Sequence, residues 1–392
     1  MSRESLEGRS CSNVGYTQKD RTGDSTGNHE LVQSHDEIRS ARAIEIAGEG
    51  NYAKIIDSLR QEGLLDKESE RVRHVYALDK IPFLTKKDGE MFTVLELYDV
   101  ETARHCLDTY RIAQDKMSVE ILPGVILEHL LQEDEGISLE QFYRACLFHD
   151  IGKVEVIRQV IQHEMGDGAM LGCLHRVYHD LYVKKRIPGS LGLTENPTNA
   201  ALAEALEVHR IRPIYLVPAR EVLSEKDLTE LKRFGLSGDE TLMEIIMKHE
   251  QVSGDILKAA GFPVEAYLAA HHHNYNREPL QYPIAVGTLH ISIDFADILH
   301  MADVTEAVSS LGRKYRKTFS IPQTMRVIVE HVEDGKISPF AAYLWLTDEL
   351  RKYEDNLIVS GDALNDRDVK NLAFVRSFLE KENDMLPLKQ SR

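Results

Sequence analysis

The chain has 392 residues, 42% hydrophobic and 28% charged, with a formal net charge of −17, a composition typical of a soluble globular protein with a sizeable core. Such acidity argues against a nucleic-acid polymer as partner, because binding to that backbone depends on Lys and Arg displacing counterions. No apolar run approaches the length that spans a bilayer, and the polar start MSRESLEGRSCSNVGYTQKD lacks the apolar core of a secretory signal, so the expected location is cytoplasmic.

Residues 1–36 are rich in Ser, Gly, Asn, Thr and charge, without periodicity, and read as a disordered or weakly ordered tail. From 37 to 94 the patterns IRSARAIEIA, YAKIIDSLRQEGLL and SERVRHVYAL have helical spacing and predict a small helical region. Within IPFLTKKDGEMFTVLE, Lys-Asp-Gly is a turn signal and predicts a short hairpin or a loop. From about 96 onward helix follows helix: LELYDVETARHCLDTYRIAQ, PGVILEHLLQ, SLEQFYRACLFHD, AALAEALEVHR, DETLMEIIMKHEQVSGDILKAAG and PVEAYLAAHHH. The patterns GTLHISIDFADILHMADVTEAVSSL, PQTMRVIVEHVEDG, PFAAYLWLTDELRKY and VKNLAFVRSFLEK complete the series. Ser224 followed by Asp227 reads as a capped helix start. Few segments alternate as strands do, so the fold class is all-α. Cys11, Cys106, Cys146 and Cys173 show no paired spacing, which implies neither a disulfide framework nor a zinc knuckle.

The stretch LFHDIGK, 147–153, organises the rest. It places an imidazole and a carboxylate, His149 and Asp150, at the end of an apolar helix, followed by Gly152 and Lys153. Neutral imidazole ligates transition metals and a carboxylate bridges two of them. A buried His-Asp pair with nothing to coordinate is expensive to desolvate. Two further His-Asp pairs, at 35 and 179, read as solvated surface, so the company of the pair at 149 decides its role.

That company is spread over the chain. Glu101 and His105 are four apart and share a helix face, a spacing that alone usually marks a surface hydrogen bond. His249 lies at the edge of the apolar side of a helix. His271, His272 and His273 end another. Asp303 sits in ILHMADVTEAV, where an acid costs several kcal/mol unless paired or ligating, with Asp294 and Asp297 as competitors for the role. His175 and His179 have ligand-compatible spacing but read as surface.

In the order Glu101, His105, His149-Asp150, Lys153, His249, His271-His272, Asp303, the set resembles the HD-GYP branch of the HD-domain phosphohydrolase superfamily. LVPAREVLSEKDLTELKRF, KHEQVSGDIL and ILHMADVTEAVSSLGRKYRK are similar to that branch's later motifs. The likeness covers residues 95–345, with an insertion near 154–212, and leaves 346–392 as a helical C-terminal extension. It implies a multi-helix HD-domain bundle that holds two or three divalent metal ions, iron or manganese, and hydrolyses cyclic di-GMP to linear pGpG or GMP by a metal-bound hydroxide.

Carried over by residue, the likeness makes His105, His149, Asp150, His249, His271, His272 and Asp303 metal ligands, with Asp150 bridging and Glu101 at the position that helps hold a third metal in some members. It puts Lys153, Arg313, Arg316 and Tyr282 on the substrate. The chain departs from the pattern at HHHNYNREPLQYP, which stands where the branch has HHExxDGxGYP, so His273 replaces a glutamate and only Tyr282 and Pro283 remain of GYP. Two alternatives follow from that departure: a cyclic-dinucleotide sensor that keeps the metal site, or a hydrolase of another nucleotide phosphate. A homodimer is left open, since no feature of the sequence argues for or against one.

Overall fold

The computed structural model describes residues 38–47, 51–117, 137–156, 193, 197–208, 216–222, 225, 228–229, 237–273, 281–286, 289–309, 319–360 and 363–385. The tail at 1–36, the pattern PGVILEHLLQ, most of the insertion with His175 and His179, Ser224, Asp227, Arg313 and Arg316 lie outside the described residues.

The fold is all-α, with one short β-ribbon among the described residues. A helix at 38–47 (α1) leads into α2 (Tyr52–Gln61), α3 (Leu64–Val75) and α4 (Lys86–Tyr98). The Lys-Asp-Gly stretch is neither hairpin nor loop. Thr85 and Asp88 form a capping box that starts α4 there, and Gly89 is carried inside the helix beside the Arg73 guanidinium. Asp99 then ends α4 and caps α5 (Val100–Lys116), accepting from Thr102 N at 3.0 Å, so one residue sets the bend between the two helices.

Helix α6 (Leu139–Phe148) starts at a Ser138/Gln141 capping box and is apolar over its last turns, with Ala145, Cys146, Leu147 and Phe148 buried. A tight turn carries His149 and Asp150 into the single-turn helix α7 (Lys153–Val156). Next come α8 (Asn199–Val208), the one-turn α9 (Ala219–Val222), α10 (Leu242–Ala259) and α11 (Pro263–His271).

The strands β1 (Gln281–Val286) and β2 (Leu289–Asp294) pair antiparallel, Gln281 opposite Asp294 and Val286 opposite Leu289. The helical reading of GTLHISIDFADILHM is therefore corrected at its start. LHISID alternates apolar and polar residues and is rich in β-branched side chains, which suits a strand, and helix begins only where Asp294 accepts from Ala296 N at 2.9 Å.

Helix α12 (Phe295–Ser309) follows, then α13 (Ile321–Glu333), α14 (Pro339–Ser360) and α15 (Asp366–Met385). α12 is buried on nearly every side, as expected of a helix at the centre of a bundle. One apolar cluster runs from Ala43 to Val375, and the boundaries that the likeness drew at 94/95 and 345/346 fall inside α4 and α14. No described helix is long and apolar enough to cross a membrane.

Candidate metal centre

Five helices deliver the site. His105 comes from the second turn of α5, His149 and Asp150 from the end of α6, His249 from α10, His272 and His273 from the end of α11, and Asp303 from α12. Close backbone approach holds two of these helix ends together. A Cβ on Gly152 would stand 2.3 Å from the carbonyl oxygen of His249 and 2.5 Å from Ser253 N, and Gly152 N donates to Ser253 Oγ at 2.8 Å. Only glycine lets the His-Asp turn lie this near α10. Gly254 does the same for α10 against α11, where an added Cβ would meet Ala270 Cβ at 2.8 Å.

The ring orientations decide the chemistry. His149, His249 and His272 turn Nδ1 towards a carbonyl oxygen of the preceding helical turn, Cys146 at 2.9 Å, Ile246 at 2.5 Å and Ala269 at 2.6 Å. A carbonyl only accepts, so each Nδ1 carries the hydrogen and each Nε2 presents a lone pair to the interior. His105 achieves this with a carboxylate instead, its Nδ1 donating to Glu306 Oε2. Such fixing of an imidazole through its other nitrogen is what metal-binding histidines require.

The four Nε2 atoms converge on two carboxylates and on each other. His105 Nε2 lies 3.2 Å from His149 Nε2, 2.9 Å from Asp303 Oδ1 and 3.5 Å from Asp150 Oδ2. His249 Nε2 is 3.0 Å and His272 Nε2 3.8 Å from Asp150 Oδ1. All three of these last atoms are buried, and none makes a hydrogen bond of acceptable angle. Lone pairs facing lone pairs in a desolvated space repel, and only a proton or a cation between them reverses the sign.

Titration covers part of the conflict. Burial pulls His105 down, but its hydrogen bonds to Asp303 and Glu306 outweigh burial and raise its pKa to about 9, so it takes a proton in the metal-free protein. His272 cannot help in this way: burial above all holds it well below the usual imidazole value. His273 is held low as well, by burial and then by His272. Asp150 and Asp303 stay ionised. Burial opposes this in both, but the Lys153 cation lowers Asp150, and the hydrogen bond from His105 lowers Asp303. Beside them Glu250 is pushed up to about 8 by burial and then by the charge of Asp150.

Among the described residues, four groups bring their ligand atoms within 4.8 Å of one another: His105, His149 and Asp303; Cys106, His149 and Asp150; His249, His272 and His273; and His273, His300 and Asp303. This buried cluster could hold metal ions. It gathers His105, His149, Asp150, His249, His272 and Asp303 from the sequence reading. Lys153 stands at its edge, its Nζ paired with Asp150 Oδ2.

Two residues of that reading lie elsewhere. Glu101 is exposed on the first turn of α5 and belongs to none of the groups. His271 is half-buried, donates from Nδ1 to Tyr267 O at 2.7 Å and stacks on the Tyr267 ring at 4.2 Å, so the histidine run enters the cluster with its second and third members. The competitors of Asp303 have structural work: Asp294 caps α12, and Asp297 accepts from Ser338 N at 2.9 Å. For Tyr282 the backbone is described, in β1 opposite Ile293.

Cys106, His300 and Glu306 were missed as site residues. The lack of paired spacing gave Cys106 no role, and burial with the charge of Asp150 pushes its thiol pKa up, yet it joins the group of His149 and Asp150. For the other two a signal existed: His300, Asp303 and Glu306 recur every third residue on a largely apolar helix, which puts a polar stripe on one face. Comparison with protein-family models, curated proteins and solved structures returns no match for this chain.

Proposed function

We propose that the protein is a metal-dependent phosphodiesterase of the HD-GYP kind that opens cyclic di-GMP to the linear dinucleotide, and onward to GMP. One observation carries this reading: the buried lone pairs of His249 and His272 face the ionised Asp150 with no proton between them. Divalent ions answer that conflict. Imidazole mixed with carboxylate suits iron or manganese, with Cys106 as a soft neighbour rather than a member of a thiolate set. Bound there, such ions would polarise a phosphodiester and lower the pKa of water towards neutrality.

The chain's own residues do the positioning. Asp150 directs Oδ1 to His249 and His272 and Oδ2 to His105, as a bridging carboxylate must. Glu306 and the three carbonyls hold the rings with their lone pairs inward. Lys153 is one-fifth exposed at the side chain and keeps its charge: burial lowers its pKa, but Asp150 outweighs this and raises it. It is the cation placed to meet a phosphate at the edge of the cluster. In this reading the substrate contacts from Arg313, Arg316 and Tyr282 follow the HD-GYP likeness alone.

The test is anaerobic loading of the purified full chain with Fe(II) or Mn(II), followed by chromatography of cyclic di-GMP incubations. Linear product is expected from the loaded protein and none from chelated protein or from His149→Ala. If the loaded protein binds the dinucleotide but leaves it intact, it is a sensor; if it hydrolyses other nucleotide phosphates instead, the substrate assignment is wrong.

A further inference from the structure

One corner of the cluster goes beyond the ligand set that the likeness implies. His300 lies on α12 one turn before Asp303 and is 2% exposed. With His273 and Asp303 it forms a group whose ligand atoms lie within 4.8 Å of one another. The rings of His273 and His300 meet edge to face, centroids 5.7 Å apart at 89°. Behind His300 stands His331 of α13, its ring nearly parallel at 25° and 5.2 Å away, with His300 Nε2 3.0 Å from His331 Nδ1.

Two facing imidazole nitrogens share a single hydrogen, so this contact locks the tautomer and tilt of one ring against the other. That is the support a ligating histidine takes from an outer partner. A histidine that merely fills a core would need only His331. Nothing in that bland role calls for His273 and Asp303, brought from two other points of the fold, to close a triangle with it.

We propose that His273, His300 and Asp303 hold a divalent transition-metal ion of their own, with His331 orienting His300. The proposal rests on the reading of the cluster as a metal centre and adds a position to it. The likeness gave Glu101 the part of supporting an additional ion, and Glu101 is exposed on α5. Two imidazoles and one carboxylate form a donor set for iron(II) and its first-row neighbours, whereas magnesium and calcium prefer oxygen ligands throughout. Asp303, with Oδ1 at 2.9 Å from His105 Nε2 and Oδ2 at 3.9 Å from His273 Nε2, then bridges this position and the one at His105 and His149.

The experiment counts ions in the full chain. Protein stripped with chelator is reloaded anaerobically with Fe(II) or Mn(II), desalted, and its metal per chain measured by plasma mass spectrometry for the wild type, His300→Leu and His331→Phe. His300→Leu is expected to bind one ion fewer than the wild type. His331→Phe is expected to keep the count at saturation while weakening the last ion by about 10–100-fold. An unchanged count and affinity in His300→Leu overturns this proposal and leaves the rest of the metal centre standing, whereas a wild type that binds no metal overturns both. Anomalous diffraction from metal-loaded wild-type crystals decides the matter even if the variants do not fold: a peak between His273, His300 and Asp303 is expected, and peaks elsewhere in the cluster with none there overturn it.

Discussion

Arg144 and His149 stand five positions apart at the end of α6, yet their surroundings are built in opposite ways. Arg144 joins three parts of the fold: Nε reaches Asp88 of α4 at 3.1 Å, a terminal nitrogen reaches Glu265 of α11 at 2.9 Å, and the other donates to Phe83 O at 3.1 Å. The guanidinium also lies over the Phe262 ring at 4.8 Å. Donors meet acceptors and cation meets carboxylate, so the cluster is complete without help. Next to His149, at Asp150, acceptors meet acceptors: His249 Nε2 and His272 Nε2 face Oδ1 with no hydrogen bond between them. The same helix thus carries one buried polar cluster that the chain satisfies by itself and one that it leaves for an ion to satisfy, and this contrast separates structural burial of charge from burial for function.

The contrast is broken most severely at Arg144. Arg144→Met leaves Asp88 and Glu265 buried without their cation and is expected to cost about 3–5 kcal/mol, read from denaturant midpoints, by the same amount with or without metal. The incomplete cluster should respond in reverse. Metal at about 100 times its Kd is expected to stabilise the wild type by about 2.7 kcal/mol, seen as a rise in melting temperature, while His149→Ala shows no such rise. An equal rise in that variant would mean that metal acts elsewhere.

A smaller effect is expected at Glu306. Glu306→Gln keeps the size of the side chain but gives up the carboxylate that receives His105 Nδ1, and should weaken metal binding by about 10–100-fold in calorimetry. Unchanged affinity would show that His105 needs no such partner.

The smallest effect concerns a second complete cluster, where Lys116 of α5 meets Asp348 of α14 at 2.9 Å and Arg351 and Lys352 stand at 3.0 and 3.2 Å from the same carboxylate. Burial raises the Asp348 pKa, but Lys116, then Arg351 and Lys352, outweigh it and hold it below the usual value of 3.8. A depressed folded pKa contributes stability that is present above the unfolded value and is lost as the pH falls through the lower, folded one. Asp348→Asn should therefore flatten the loss of melting temperature below about pH 4, and a curve identical to the wild type would show that the pair carries no such linkage.

The helices were legible in the sequence because their causes are local. Asp99, Ser138 and Thr241 accept from the first turns of α5, α6 and α10, and apolar spacing marks the buried faces. Errors arose where local signals conflict. The Lys-Asp-Gly turn signal lost to the Thr85/Asp88 capping box, and LHISID lies against a helical continuation whose start only Asp294 sets. His105, His149, Asp150, His249, His272 and Asp303, which the structure brings together, were all named from the sequence through a resemblance in their order along the chain.

Chain order alone, however, could not tell His271 from His273, or give His300 and Glu306 a role. Which of three consecutive imidazoles points inward depends on how α11 lies against α10, which Gly254 lets approach closely at Ala270. The sequence by itself determined the helices and the inventory of possible ligands, since capping and periodicity act within a few residues. Only the tertiary structure decided which side chains face one another, because lone-pair direction is fixed by contacts between residues as distant as His105 and Glu306.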